Sequence, residues 1–300
     1  MTRNAATKLH PRLRSIVVVD YARFVNCSAI GTKEKLPKAN YEFESNWIQK
    51  LTGGVKKDMR LTHGAAYMDE VARAKQAAGI AACDFVVDGM DVGLGTGSTV
   101  RYTVIELGRR MDEEGLSFRG VPTSVETAEL ATELGIPLID WDAVTTLAVT
   151  IDGADEFDPQ FHLIKGGGGA LTREKIVAQV SDAMVVVTDP SKEVPTLGEF
   201  PLPVEVLAFG WEVTTRHLGA LCPGEVIRRG GDEPFVTDNG NFIIDCHFGS
   251  TISDPVALEA QIRGTAGVVE VGLFTHMADA IVIGSEAGVE TRIKSGGRLD

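Results

Sequence analysis

The sequence lacks the features of several broad protein classes. No apolar run approaches the roughly 20 residues of a membrane-spanning helix. The longest runs, such as residues 184–187, have the length of a buried strand. The first residues lack the apolar core and cleavage site of a signal peptide. With 44% apolar and 24% charged residues, the composition is typical of a globular chain. We therefore expect a cytoplasmic protein that does not bind membranes.

Disulfide and metal-binding patterns are also missing. The four cysteines are scattered without a CxxC pair, which predicts reduced thiols. The six histidines include no HxH or HExxH group, so the sequence offers no histidine-based metal site. We therefore expect no bound metal.

Positive charge is scarce outside the N-terminal part. Residues 1–66 contain 12 Lys and Arg against 5 Asp and Glu, whereas the remaining chain contains 17 against 37, and the net charge is −13. An acidic body argues against nucleic acid as a partner. A phosphate ligand would have to be held by local N–H groups and a few lysines. Residues 1–66 show no sustained periodicity and form a predicted N-terminal extension of unknown role.

Strands and helices alternate from residue 67 onward. This spacing predicts a doubly wound, Rossmann-like parallel α/β sheet. The predicted strands are residues 90–94, 118–121, 137–139, 147–151 and 183–188, and the predicted helices are residues 67–82, 100–111, 124–134 and 171–181.

The pattern changes after residue 200. A β-α-β-β-α-β order, with a hairpin turn at Asn239-Gly240, predicts a small ferredoxin-like α+β domain at residues 201–276. It is inserted in an α/β catalytic domain at residues 67–200 and 277–300, to which a strand at 280–283 returns. The predicted elements of the smaller domain are residues 204–209, 212–221, 225–228, 235–248, 255–263 and 268–274.

A segment with four consecutive glycines is the centre of the functional prediction. Lys165 precedes the glycines at residues 166–169, and Glu174 lies in the first turn of the helix that follows. Four glycines are costly in backbone entropy but suit a main chain that closely approaches a ligand at a helix N-terminus. The positive end of the helix favours a carboxylate. A flexible linker before an ordinary helix is the alternative.

A second glycine-rich segment, residues 93–99, lies between a predicted strand and a predicted helix. It is not a Walker loop, because no lysine precedes Ser98 or Thr99. It fits a dinucleotide fingerprint poorly, because Ser98 occupies the last glycine position. Its glycines and hydroxyls favour a single phosphate on a small molecule. A tight strand–helix turn is the plainer alternative.

Three acids, Asp152, Asp155 and Glu156, follow the apolar strand at 147–151, where parallel sheets bind ligands. Close carboxylates repel each other, so the pKa of at least one should rise unless a cation such as Lys165 balances them. The sequence thus combines a phosphate-binding loop, a group of acids, Lys165 and Glu174. This combination favours metal-free proton abstraction beside the carbonyl of a sugar phosphate.

In this order, the segments resemble the type A ribose-5-phosphate isomerases. The resemblance covers about residues 68–294 and rests on residues 93–99, 152–156, 165–175, 191–192, 200–206 and 236–241. It implies interconversion of ribose 5-phosphate and ribulose 5-phosphate in the pentose phosphate pathway. It also implies that no cofactor is needed and that the chain forms a homodimer or homotetramer.

The resemblance further implies roles for individual residues. Glu174 matches the proton-transferring base. For a mechanism built on this match, we hypothesise that Lys165 stabilises the oxyanion, that Asp152 assists ring opening with help from Lys165, and that Asp155 orients a hydroxyl. Lys75 corresponds to a phosphate-contacting lysine. The implied substrate-binding residues are Thr96, Gly97, Ser98, Thr99, Asp152, Gly153, Ala154, Asp155, Lys165, Gly166, Gly167, Gly168 and Lys192.

Two other functions fit part of the pattern. An aminosugar-phosphate deaminase shares a related fold, but its active-site histidine motif has no counterpart here. The other is a sugar-phosphate sensor domain of a transcriptional regulator, which should be preceded by a helix-turn-helix. Residues 1–66 show no clean pair of helices.

Overall fold

The structure is a computed structural model that describes residues 70–299. The predicted extension at 1–66, and residues 67–69 of the first predicted helix, lie outside the described residues. The helices are α1 (Glu70–Ala82), α2 (Val100–Glu114), α3 (Val125–Glu133), α4 (Leu171–Gln179), α5 (Trp211–Gly219) and α6 (Pro255–Arg263). The strands are β1 (Met90–Leu94), β2 (Phe118–Pro122), β3 (Val149–Gly153), β4 (Glu156–Phe157), β5 (Leu163–Ile164), β6 (Met184–Thr188), β7 (Leu202–Val206), β8 (Val226–Arg228), β9 (Phe242–Cys246), β10 (Val268–Val271), β11 (Leu273–Phe274), β12 (Ala280–Ser285) and β13 (Gly288–Ile293).

A six-stranded sheet with the order β13-β12-β6-β3-β1-β2 carries the cleft described below. Five strands are parallel, and β13 pairs antiparallel with β12 at one edge. Side chains alternate between the two faces of β6. Val185 and Val187 pack in a core with α1 and α2, whereas Met184 and Val186 pack in a core with α4. The predicted parallel α/β sheet is therefore confirmed, and the predicted last strand returns to it as β12.

The predicted strand at residues 137–139 is wrong. A single bridge pairs Leu138 with Gly120, and pairing ends there because the chain turns into a short 3-10 helix at Trp141–Ala143. The short strands β4 and β5 were not predicted, because two residues are too few to show an alternating pattern. The edge strand β13, which is mostly exposed, was also not predicted.

A second, four-stranded antiparallel sheet follows residue 201, with the order β10-β7-β9-β8. Its strands and the helices α5 and α6 occur in the predicted order. They share a hydrophobic cluster that includes Val204, Leu218, Ile244 and Ile262. Helix α6 has the predicted bounds, because Asp254 accepts a hydrogen bond from the Ala257 N–H and caps its N-terminus at 2.9 Å.

The predicted hairpin at residues 235–248 is wrong, although its turn exists. The Gly240 N–H donates to the Thr237 carbonyl at 2.9 Å, and the φ of Gly240 is +79°. Only the second arm becomes a strand, β9, which pairs with β7 on one side and β8 on the other. Because both edges of β9 are occupied, the first arm makes only the bridge between Val236 and Phe242.

The predicted strand at 268–274 splits into β10 and β11, which belong to two different sheets. The break falls at Gly272, whose N–H donates to Pro203 and whose carbonyl accepts from the Lys165 N–H. Strand β11 then pairs with β5 in a three-stranded sheet whose order is β11-β5-β4. This small sheet fixes the main chain at Lys165 between the two larger sheets.

Within residues 70–299, none of the helices combines the length and the apolarity required to cross a bilayer.

The close approach at Gly272 can be tested by substitution. A Cβ added there would lie 2.2 Å from the Lys165 carbonyl oxygen, so we expect Gly272→Ala to lower the free energy of unfolding by about 1–3 kcal/mol. Gly219→Ala in α5 is the control, because its added Cβ meets no heavy atom within 4 Å and alanine is the better helix former. Urea unfolding compares the two variants, and equal stabilities would contradict the predicted clash.

Candidate active site

The loops that follow β1, β3 and β6 meet at the carboxyl end of the parallel sheet, where open α/β sheets bind ligands. Together with α1 and the segment before α4, they line a cleft of about 140 Å³. Every predicted site residue lines this cleft except Asp152, which lies beneath it. The lining residues are Lys75, Thr96, Gly97, Ser98, Thr99, Gly153, Ala154, Asp155, Lys165, Gly166, Gly167, Gly168, Glu174, Thr188, Asp189 and Lys192.

Lys165 joins two buried carboxylates at the base of the cleft. Its Nζ lies 3.1 Å from Asp152 Oδ2 and 3.3 Å from Glu174 Oε2, and it donates to the Gly153 carbonyl at 2.6 Å. The two carboxylate oxygens accept no aligned hydrogen bond from the described residues, so the contacts are ion pairs. Burial disfavours the charged lysine, but Asp152 and Glu174 outweigh it and raise the pKa of Lys165. The side chain is therefore an ammonium at neutral pH.

Asp152 connects the end of β3 to the loop after β1. Its Oδ1 accepts hydrogen bonds from the Thr96 N–H at 3.1 Å and the Gly153 N–H at 2.8 Å. Gly95 must lack a side chain, because a Cβ there would lie 2.2 Å from the same oxygen. Asp152 is 0% exposed, and this burial raises its pKa despite the opposing charge of Lys165.

Glu174 lies in the first turn of α4 and is 4% exposed. Burial, and secondly the charge of Asp152, raise its pKa to about 8, while Lys165 opposes the rise. The helix N-terminus stabilises the ionised form by about 0.3–1 kcal/mol, less than the roughly 1.4 kcal/mol of one pKa unit, so burial prevails. A carboxyl with this pKa can both accept and return a proton near neutral pH.

The loop after β1, residues 95–99, lines the cleft with its residues 96–99. The N–H groups of Gly97, Ser98 and Thr99 have no acceptor among the described residues. Ser98 Oγ accepts a hydrogen bond from Lys75 Nζ at 3.0 Å. The Thr96 hydroxyl bonds instead to Thr123 and Ser124 at 2.7 and 2.8 Å, towards the start of α3. This arrangement of free N–H groups beside a lysine suits an anion.

The glycine loop, residues 166–169, is tied to the segment after β3. Asp155 Oδ2 accepts a hydrogen bond from the Gly167 N–H at 2.7 Å. A Cβ on Gly167 would lie 2.5 Å from Asp155 Oδ1, so only glycine allows this approach. Gly166 and Gly169 have φ values of +108° and +82°, which also favour glycine. The glycines therefore form a defined loop against Asp155, and the linker alternative is not needed.

One predicted acid lies outside the cleft, and two residues that were not predicted line it. Glu156, the third of the three predicted acids, does not line the cleft and accepts hydrogen bonds from the Gly198 and Phe200 N–H groups. Thr188 and Asp189 line the cleft beside Lys192, and the sequence prediction missed them. They lie at the end of β6 just as Asp152 lies near the end of β3, so their position at a strand end was the available signal.

No group of three or more His, Cys, Asp or Glu within residues 70–299 is arranged to hold a metal ion. Cys83, Cys222 and Cys246 are buried free thiols, and Cys27 lies outside the described residues.

The raised pKa of Glu174 predicts how stability changes with pH. A carboxyl with a pKa of about 8 when folded and 4.5 as its ordinary value contributes stability that is present below pH 4.5 and is lost as the pH rises to about 8. Glu174→Gln removes this titration. The stability of the wild type relative to the variant should therefore fall by a few kcal/mol between pH 5 and pH 8 and then level off. Urea unfolding at several pH values measures the difference, and a constant difference would contradict the assigned pKa.

The sequence of this chain is similar to those of known proteins. A family model described as Ribose 5-phosphate isomerase A (phosphoriboisomerase A) matches residues 119–288. Ribose-5-phosphate isomerase A 1 of Oceanobacillus iheyensis is 48% identical over 222 residues, which cover 74% of this chain and 99% of that protein. Ribose-5-phosphate isomerase A of Cereibacter sphaeroides is 51% identical over 222 residues, which cover 72% of this chain and 88% of that protein.

Solved structures give the same result. Ribose 5-phosphate isomerase A from Methanocaldococcus jannaschii has a TM-score of 0.69 and 44% identity, and the match covers 73% of this chain and 98% of that chain. A D-ribose-5-phosphate isomerase in complex with phospho-erythronic acid has a TM-score of 0.72 and 38% identity, and covers 75% and 100%. These matches give no support to a regulator domain. The chain belongs to the ribose 5-phosphate isomerase A family.

Proposed function

We propose that this chain interconverts D-ribose 5-phosphate and D-ribulose 5-phosphate through an enediolate, as a step of the pentose phosphate pathway. The main support for this proposal is the position of Glu174, which has a pKa of about 8 and lies 3.3 Å from the Lys165 ammonium. Both side chains line a cleft that is also lined by residues 96–99 of the 95–99 loop. A base, a cation and an anion site thus share one cleft of small-molecule size. This chemistry requires neither a metal nor a cofactor.

The substrate phosphate would bind at the 95–99 loop. The N–H groups of Gly97, Ser98 and Thr99 provide donors at the start of α2, and Lys75 and Lys192 line the same cleft. The Thr96 hydroxyl is engaged with α3, so Thr96 contributes by holding the loop. This local site would bind an anion even though the chain as a whole is acidic.

Proton transfer would follow opening of the sugar ring. Ionised Glu174 removes the proton from C2, the C–H electron pair forms the C1–C2 double bond, and the carbonyl pair moves onto the C1 oxygen. Lys165 and N–H groups of the glycine loop stabilise this oxyanion. The proton on Glu174 then passes to C1, and the C2 hydroxyl proton moves to the C1 oxygen to leave the ketose. One solved relative is in complex with phospho-erythronic acid. This ligand combines a carboxylate with a phosphate, as the proposed enediolate combines an oxyanion with a phosphate.

Asp152 and Asp155 differ in how they would act. Asp155 lines the cleft and also holds Gly167, so it is placed to orient a substrate hydroxyl. Asp152 is buried beneath the cleft, and its contacts are Lys165 and two main-chain N–H groups. We assign it a positioning role through Lys165 and through the pKa of Glu174, in preference to direct participation in ring opening.

The base assignment is tested by removing the carboxylate. Glu174→Gln should lower kcat by about 10²–10⁴-fold, because general-base catalysis is typically worth this much. The assay mixes purified protein with ribose 5-phosphate in the presence of a chelator and follows ketose formation. Glu126→Gln is the control, because Glu126 is an exposed acid in the first turn of α3. Near-normal turnover of the Glu174 variant would exclude the assignment.

The role of Lys165 is tested by the pH dependence of kcat/KM. In the wild type this ratio should rise with pH towards a limb near pH 8, where Glu174 ionises. Lys165→Met removes the cation that lowers the pKa of Glu174, so the limb should move to higher pH. We also expect kcat to fall by about 10²-fold or more, because an oxyanion-stabilising group is lost. A limb that moved to lower pH would contradict the proposed electrostatic role.

We also propose a division into two domains. The α/β catalytic domain comprises residues 67–200 and 277–300, with a ferredoxin-like α+β domain inserted at residues 201–276. Support comes from the β10-β7-β9-β8 strand order, from the separate hydrophobic cluster of that part, and from the return of β12 to the first sheet.

Two further expectations concern context. We propose that the chain forms a homo-oligomer, which is supported by Val125, Trp141 and Ile176, exposed apolar side chains that line one groove of about 860 Å³. The number of subunits in this homo-oligomer, two or four, stays a prediction from the sequence.

The cytoplasmic location likewise stays a prediction.

A further inference from the structure

Arg229 does not line the cleft, yet it contacts the main chain of the glycine loop. It directly follows β8 and reaches this loop from the four-stranded sheet. Its Nη1 donates to the Gly166 and Gly167 carbonyls, both at 2.9 Å. One guanidinium nitrogen therefore holds two consecutive peptide groups.

The guanidinium of Arg229 is itself held in place. Its Nε and Nη2 donate to the two oxygens of Asp245 on β9, at 2.9 and 2.6 Å. A bidentate pair of this kind restrains the plane of the guanidinium as well as its position. The group also lies 5.7 Å from the ring centre of Phe235. A Cβ added to Gly169 would lie 2.4 Å from that ring, so Phe235 packs directly against the loop.

Holding these carbonyls determines where the next N–H groups point. The C=O and N–H of a trans peptide point in opposite directions. With the Gly166 carbonyl on Arg229, the Gly167 N–H points the other way and donates to Asp155 Oδ2 at 2.7 Å. With the Gly167 carbonyl on Arg229, the Gly168 N–H is also directed away from it. Gly168 lines the cleft, and its N–H has no acceptor among the described residues.

The glycine loop needs such a restraint. Glycine populates more backbone conformations than any other residue, and the loop has no side chains of its own to pack. Its conformation therefore depends on hydrogen bonds from other segments. Among residues 70–299, the side chains that hydrogen-bond to residues 166–168 are those of Arg229 and Asp155. Asp155 fixes one N–H, and Arg229 fixes two carbonyls.

We propose that Arg229 is a positioning residue for the isomerisation, which fixes the glycine loop so that the Gly168 N–H points at the developing oxyanion. This inference rests on the proposed function. Arg229 acts through the loop and does not contact the substrate. Its loss would weaken transition-state stabilisation more than ground-state binding, because the phosphate is held by the separate 95–99 loop.

The test compares adjacent arginines. Arg229→Ala should lower kcat by about 10–100-fold, because small misplacements of catalytic groups cost up to about 10²-fold, while KM changes by less than about threefold. Arg228→Ala is the matched control. It removes the same charge one residue earlier, but the Arg228 guanidinium stacks 4.5 Å from the Trp211 ring centre and does not contact the loop. It should keep the wild-type kcat.

Chemical rescue separates positioning from a general loss of stability. Guanidinium chloride at concentrations too low to unfold the protein should restore part of the kcat of Arg229→Ala and leave Arg228→Ala unchanged. The pH limb assigned to Glu174 should stay in place in both variants. A kcat for Arg229→Ala equal to that of Arg228→Ala would overturn the inference. A loss of kcat without any rescue would also overturn it.

Two milder variants decide the question if Arg229→Ala does not fold. Arg229→Lys keeps the charge but cannot bond both carbonyls and both Asp245 oxygens, and Asp245→Asn releases the guanidinium from its bidentate partner. Both should lose kcat, and wild-type kcat in both would overturn the inference. Absence of isomerase activity in the wild type would instead refute the proposed function, so the two failures are distinguishable.

Discussion

The cleft depends on one buried ammonium. Lys165 lies within 3.3 Å of carboxylate oxygens of Asp152 and Glu174, and no part of this trio is well exposed to water. Removing a buried lysine from such a group would leave two like charges without compensation, which typically costs several kcal/mol. With Lys165 present, the trio still carries one excess negative charge when both acids are ionised. Burial of that excess charge is what raises the pKa of Glu174 towards neutrality.

The four-stranded sheet holds the helix that carries Glu174. Three residues that flank this glutamate are bound to the sheet or its connections. Thr172 donates to Glu205 at 2.5 Å, Arg173 donates to the Asp238 carbonyl at 2.7 Å, and Lys175 donates to Glu259 and Glu270 at 2.8 and 2.9 Å. Successive helix residues point in different directions. The flanking side chains can therefore anchor α4 while Glu174 faces the cleft. The smaller part of the protein thus supports the site from outside.

Much of the fold could be predicted because the relevant signals are local. The strand at 90–94 and the helix at 255–263 have the predicted bounds, since the apolar pattern lies within each segment and the capping residue Asp254 directly precedes the helix. The hairpin at 235–248 failed because pairing partners are a property of the whole sheet, and β7 and β8 occupy both edges of β9. The strand at 268–274 was divided by Gly272, whose restriction comes from the Lys165 carbonyl more than 100 residues earlier.

The sequence by itself determined which chemical groups stand at strand ends and helix starts: two glycine-rich loops, the acids at and beyond the end of β3, Lys165 and Glu174. Because strands that alternate with helices form a parallel sheet, the carboxyl ends of those strands share one edge of the sheet. Only the tertiary structure decided that Asp152 lies beneath the cleft while Glu174 opens into it, and that Arg229 reaches the glycine loop from another sheet. Burial, and with it the pKa of each acid, arises from contacts between distant segments. No local pattern of residues encodes those contacts.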